Sequence, residues 1–285
     1  MHIFVYNMTR KGDSLMKEYI LKEHNDGSVT TVRMLQMKLL EMLKDIDKVC
    51  QKHQIPYWMS GGSALGAVRH QGFIPWDDDM DIAMMREDYE AFQKVVKELD
   101  KEKYTVQCFE THPEYTVTVP AMKIRLNGTW CQEYNTLLRN RCKDSDGIFI
   151  DVFIVDYVSE TKWKDFVWRC RNGVLMVLIT LLENIGMNPL LLKKRFVRNA
   201  KKYGEINQNS PLIGYDITWC FNSFIHPVVY PKESVFPIQY VKFEDTLLPI
   251  PKRPKDMLDI EISPKHMSYP PEADQKPKHI KDIQL

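Results

Sequence analysis

Tyr57–Met84, reading Y-W-M-S-G-G-S-A-L-G-A-V-R-H-Q-G-F-I-P-W-D-D-D-M-D-I-A-M, is the stretch that decides the fold. It joins a Ser60-Gly61-Gly62-Ser63 turn, the basic pair Arg69-His70, and the carboxylates Asp77, Asp78, Asp79 and Asp81. Gly61 and Gly62 let backbone approach a phosphate, and the N–H groups of such a turn can form an anion nest. Asp79 and Asp81 stand two residues apart at the head of the apolar run Ile82-Ala83-Met84. On a strand they project from one face, as carboxylates sharing divalent cations must. A phosphate cradle followed by paired metal ligands is equipment for magnesium-assisted phosphoryl or nucleotidyl transfer. An EF-hand is excluded, because Ile82 stands where that loop needs glycine.

Working outward, Leu35, Leu39, Met42, Ile46 and Val49 recur at helical spacing and predict an amphipathic helix over Thr31–Gln51. Tyr57–Ser60 reads as a short strand feeding the glycine turn, and Ala64–His70 as a helical turn. Asp81–Met84 is a strand and Arg86–Leu99 a helix. Val106–Phe109, Val117–Ile124 and Ile148–Ile154 read as further strands. The sum is an α+β chain with a mixed sheet flanked by helices. Residues 1–30 read as a polar leader, 31–160 as the catalytic core, and 161–285 as a mainly helical C-terminal subdomain.

Hydrophobic content of 44% and charged content of 27% are those of a globular chain able to bury a full core. A formal net charge of +1 leaves no global field to recruit nucleic acid, so no nucleic-acid partner is expected. Cys50, Cys108, Cys131, Cys142, Cys170 and Cys220 lack zinc or disulfide spacing and read as reduced thiols of a cytoplasmic chain. Met1–Asp13 has no apolar segment of signal-peptide type. The apolar run Val174–Leu182 is about half the ~20 residues a spanning helix needs, and reads as a buried helix.

Gly61-Gly62-Ser63, Gly66–His70, Gly72–Asp79 and Asp81 resemble the LicD/fukutin family. Gly147–Asp156, a strand carrying further aspartates, extends that likeness, which runs from about Leu35 to Asp156. It continues weakly through Leu247–Pro251 and Met267–Pro271, and 262–271 departs from the family pattern. The resemblance implies a nucleotidyltransferase fold and transfer of phosphocholine, or a related phospho-alcohol, from a CDP-linked donor. CDP-choline is the favoured donor, and the acceptor is a hydroxyl of a glycan or lipid-linked glycan, as in lipopolysaccharide or teichoic acid. Because such acceptors are often lipid-linked, peripheral contact with the inner membrane face stays open for Val174–Leu182.

Within this chemistry Asp79 and Asp81 are the expected bridging ligands of two Mg2+ (or Mn2+) ions. Asp151, inside an apolar strand, is the third ligand and assists deprotonation, unless it forms a structural salt bridge. Asp77 and Asp78 are expected to orient ligands or bound waters. Gly61, Gly62, Ser63, Arg69, His70 and Lys123 are the candidates for donor phosphate. Tyr57, Trp58, Phe73 and Trp76 are candidate choline contacts through cation–π attraction, although core packing explains rings equally well. Transfer of a nucleoside monophosphate to a small molecule or protein is the alternative enzymatic reading. A glycan-binding scaffold retaining the fold is the non-enzymatic one.

Overall fold

The computed structural model describes residues 19–136, 138–218 and 227–285, and the backbone of 8–11 and 14–17. Cys220 lies outside the described residues, as does most of the beginning of the expected leader. Two hairpins come first, β1 (Met8–Lys11) with β2 (Ser14–Lys17) and β3 (Ile20–Glu23) with β4 (Val29–Thr31). Helix α1 (Val32–His53) follows, with Thr31 Oγ1 accepting from Met34 N–H at 3.3 Å to cap it. Its predicted stripe, Leu35 to Val49, is buried throughout.

The central elements run in order β5 (Trp58–Met59), α2 (Gly61–His70), β6 (Asp81–Met85), α3 (Arg86–Val95), β7 (Tyr104–Cys108), β8 (Met122–Leu126), β9 (Trp130–Glu133) and β10 (Phe149–Tyr157). Then come α4 (Lys162–Asn184), α5 (Leu190–Ile206), β11 (Leu212–Tyr215), β12 (Val229–Pro231), α6 (Lys232–Val235), β13 (Gln239–Phe243), β14 (Thr246–Ile250), α7 (Pro254–Glu261) and β15 (Ile280–Gln284). Seven strands form one mixed sheet, as the α+β reading predicts. Strand β10 sits at its centre, parallel to β6 on one edge. On the other edge its first half pairs with β8 and its last residues with β11, both antiparallel. A strand covered on both faces reads as a near-continuous apolar run, and Phe149–Tyr157 does.

The predicted strand Val117–Ile124 is shorter in the structure. Residues 115–121 are turns and coil, and the ladder begins at Met122. Pro120 cannot donate to a ladder, and Tyr115 O–H bonds its carbonyl at 2.6 Å instead. Beyond residue 160 the two long helices are α4 and α5, and α6 and α7 are short. Strands β11 and β12 extend the seven-stranded sheet, β13 and β14 form a hairpin, and β15 pairs with β9. That last pairing returns residues 272–284 to the neighbourhood of the aspartate run. Val174–Leu182 is helical but not buried as a unit. Ile179 is buried, whereas Val174, Val177, Leu178 and Leu181 are exposed.

Candidate active site

Register builds the site. Asp81 opens β6 and Asp151 lies early in β10, and the two are direct partners across the parallel pair. Asp151 is likewise the direct partner of Lys123 on β8. Three adjacent strands therefore carry a carboxylate, a carboxylate and an ammonium in one row. Lys123 Nζ lies 2.9 Å from Asp151 and 3.5 Å from Glu133. Asp156, five residues beyond Asp151 and so on the opposite face, is bound instead by Arg86 at 2.5 Å.

Asp77 and Asp79 complete the cluster from the loop before β6. Burial first, then the charges of Asp79, Asp151 and Asp77, holds the Asp81 carboxyl well above the usual carboxylate range. Burial followed by Asp79 and Asp78 does the same to Asp77. Asp151 is pushed up to about 6, because burial outweighs the opposing pull of Lys123. Asp77, Asp81 and Asp151 resist ionisation together, and with Asp79 beside them the oxygen donors fit a hard divalent cation, which would neutralise the cluster. His279 adds a nitrogen, with Nε2 3.1 Å from Asp79 Oδ2. Among the described residues, Asp77, Asp78 and His279 bring one ligand atom each within 4.8 Å of one another, a group that could hold a metal ion.

Asp78 has a further task. Its Oδ1 accepts from the N–H groups of Lys278 and His279, and its Oδ2 from those of His279 and Ile280 at 3.1 and 2.7 Å. It anchors the start of β15 at the site, and much of its lone-pair capacity is engaged there.

The glycine turn serves the carboxylates more directly than a phosphate. A Cβ on Gly62 would lie 2.6 Å from Asp77 Oδ2, so glycine here makes room for that carboxylate. Gly61 has φ +53°, and its N–H donates to Glu261 Oε2 at 3.1 Å. Burial pushes the Glu261 carboxyl up to about 7. Ser63 Oγ accepts from Asp81 N–H at 2.9 Å and fixes the start of β6. Lys123, expected at phosphate, is instead the ion-pair partner of Asp151.

Beside Gly62 and Asp77 opens a cavity of about 490 Å³, lined also by Arg69, Trp76, Lys265, Tyr269, Lys276 and Lys278. Arg69 Nη1 donates to the carbonyls of His266 and Ser268 at 2.8 and 3.1 Å, and its guanidinium lies 5.0 Å from the Tyr269 ring centre. His70 Nε2 meets Tyr269 O–H at 3.2 Å. Trp76 packs among Tyr19, His70 and Tyr269, with ring centres 6.0, 6.4 and 6.0 Å away. The other candidate choline rings are core side chains. Tyr57 and Trp58 are 1% and 0% exposed, with Tyr57 O–H on Asp47, and Phe73 packs edge-on against Phe243.

The missed residues, Glu261, Lys265, Tyr269, Lys276, Lys278 and His279, lie some two hundred positions from the first motif. The weak likeness at Met267–Pro271 was the signal that pointed toward them.

Residues 54–173 match the family model described as LicD/FKTN/FKRP, nucleotidyltransferase domain. The chain is 27% identical over 286 residues to lipopolysaccharide cholinephosphotransferase LicD of Haemophilus influenzae, covering 90% of this chain and 98% of that protein. It is 43% identical over 70 residues to an uncharacterized protein of Rickettsia prowazekii, covering 25% of this chain and 26% of the other. Ribitol 5-phosphate transferase FKRP of Homo sapiens is 42% identical over 50 residues, 18% of this chain and 10% of that protein.

Proposed function

We propose that this chain, whose residues 54–173 match the LicD/FKTN/FKRP model, is a phosphotransferase of that type that modifies glycans, moving phosphocholine from CDP-choline to a hydroxyl of a cell-envelope glycan. The likeness to a lipopolysaccharide cholinephosphotransferase over nearly its whole length supports choline over ribitol. One structural observation carries the chemistry. Asp77 and Asp78 line a cleft together with Arg69, Lys265, Lys276 and Lys278, and Asp77 joins that cleft to the carboxylate cluster of Asp79, Asp81 and Asp151.

In this reading the four basic side chains hold the donor diphosphate, and their charge makes donor affinity fall with salt. Asp79, Asp81 and Asp151 are the ligands of Mg2+, with Asp77 and His279 beside them. The bound cation supplies Lewis-acid stabilisation of the charge gathering on the phosphate oxygens. The acceptor oxygen forms a bond to the donor's choline-bearing phosphorus as the bond to CMP breaks, and the hydroxyl proton passes to Asp151. Lys123 holds Asp151 in place by its 2.9 Å contact.

The test is CMP release from CDP-choline with a glycan acceptor, with and without magnesium, beside a binding panel of CDP-choline, CDP-ribitol and CDP-glycerol. Metal-dependent CMP release with transfer to the glycan supports the reading. Binding of glycan without donor turnover favours the scaffold instead.

A further inference from the structure

Helix α4 turns a polar row inward and a broad apolar stripe outward. Its inward face carries Asp165, Arg169, Asn172 and Glu183 beside the apolar Leu175 and Ile179, all buried. The four polar side chains all make polar contacts, with Arg169 Nη2 left without a hydrogen-bond partner. Arg169 Nε donates to Asp165 at 2.9 Å, Tyr203 O–H donates to Asp165 at 2.6 Å, and Asn172 Nδ2 donates to the Ile217 carbonyl at 3.0 Å. Lys193 Nζ and Glu183 are 2.6 Å apart. Its outward face carries Trp163, Val167, Val174, Leu178, Leu181 and Ile185, exposed by 70, 44, 62, 44, 61 and 72%. At 3.6 residues per turn these six fall within an arc of about 60°, opposite the buried polar row. The apolar surface continues onto Met187 and Leu191, 56 and 82% exposed. Besides burying Leu175 and Ile179, α4 leaves this second and larger apolar stripe facing outward, a patch of the kind that marks an interaction surface.

Charge says what covers it. Between residues 161 and 204 the two acidic residues, Asp165 and Glu183, are both buried, and every exposed charge is positive. Lys162, Lys164 and Arg171 flank the stripe on α4, and Lys194, Arg195 and Arg198 stand exposed on α5. The whole chain carries only +1, so this is a local segregation of charge. An apolar ridge with basic flanks complements the interface of an anionic bilayer. A second copy would oppose one all-basic rim to another.

We propose that the outward face of α4, continued by Met187 and Leu191, docks in the plane of an anionic lipid bilayer. The ridge enters the headgroup region and the flanking lysines and arginines meet lipid phosphates. This holds whichever group the enzyme transfers.

The experiment is co-sedimentation of the full chain with vesicles of phosphatidylcholine alone or mixed with phosphatidylglycerol. Binding to the mixed vesicles, weaker at high salt, is the expected result. Leu181→Gln with Ile185→Gln should weaken partitioning at least ~tenfold, with an unchanged melting temperature because both side chains are exposed. Lys194→Glu with Arg198→Glu should weaken binding to mixed vesicles by a similar factor of roughly ten. Failure to bind mixed vesicles overturns the proposal. So does binding that the Leu181/Ile185 pair leaves unaltered. A dimer seen by light scattering and dissolved by that same pair, without vesicle binding, overturns it in favour of a second copy.

Discussion

Asp81 and Asp151 are direct register partners on parallel strands, so their side chains leave the same sheet face one strand spacing apart. That spacing, about 4.8 Å, is too close for two desolvated carboxylates to ionise together and suits a shared cation.

Asp81→Asn tests the ligand role. Removing one charge relieves repulsion, so the metal-free variant should melt at the parent's temperature or higher. Transfer should be abolished, and the stabilisation that magnesium gives the parent should vanish. Calorimetry with and without magnesium, beside the CMP-release assay, reads all three. Substantial turnover by the variant would remove Asp81 from the site's chemistry.

The cluster also sets a pH dependence. Asp77 and Asp81 bind protons more tightly folded than unfolded, and Asp151 does so with its pKa at about 6. Their contribution is fully present below the unfolded carboxylate range and is lost as pH rises through 6 and beyond. A cation reverses this, because it binds the ionised forms. The rise in melting temperature produced by magnesium should therefore be small at pH 5 and much larger at pH 8. A rise equal at both values would place the ion away from these carboxylates.

Lys123 and Asp151 separate structure from chemistry. Lys123→Met removes the cation offsetting a buried carboxylate, so the melting temperature should drop, and further at pH 8 than at pH 5. Adding Asp151→Asn should restore most of the stability, since neither charge is then left unpaired. Turnover of the double variant should still be down by at least ~10². If it recovers with the fold, Asp151 is only half of a salt bridge.

The helix α1, the order of strands around the glycine turn, and the carboxylates were legible because each depends on spacing within a few residues. Leu35 to Val49 declare one buried face, and Asp79 and Asp81 declare their parity. Pairings between distant segments were not legible. Nothing local indicates that β15 returns to β9, that Asp78 receives the N–H groups of 278–280, or that Lys276 and Lys278 reach the cleft. Tyr57 and Trp58 misled because a ring reads alike in a core and in a cage. Val174–Leu182 misled for a related reason: hydrophobicity gives a helix its stripe but not the direction the stripe faces, and here buried polar residues fixed it outward.

Glu261 offers a test of the turn. Its pKa is raised to about 7, so the folded chain loses stability as pH climbs from about 4.5 toward 7. Glu261→Gln still accepts from Gly61 N–H but carries no charge. The variant should match the parent near pH 4 and be more stable by roughly 1–3 kcal/mol at pH 8. Denaturant melts across that range check it, and a variant less stable at every pH would show the carboxylate to be needed ionised.

The donor's head group is tested at Trp76, since Tyr57, Trp58 and Phe73 are committed to the core. Trp76 lines the cleft, and its neighbour Tyr269 already has the Arg69 guanidinium 5.0 Å from its ring centre. Trp76 is thus the ring left for a trimethylammonium. One such contact is worth ~0.5–2 kcal/mol, or up to about thirtyfold in affinity. The parent should prefer CDP-choline to CDP-glycerol within that range, and Trp76→Leu should erase the preference while leaving CDP-glycerol binding nearly unchanged. Competition titrations in magnesium decide. Equal losses for both donors would make Trp76 a packing residue among Tyr19, His70 and Tyr269, and choline selection would then have to come from the acceptor side of the cleft.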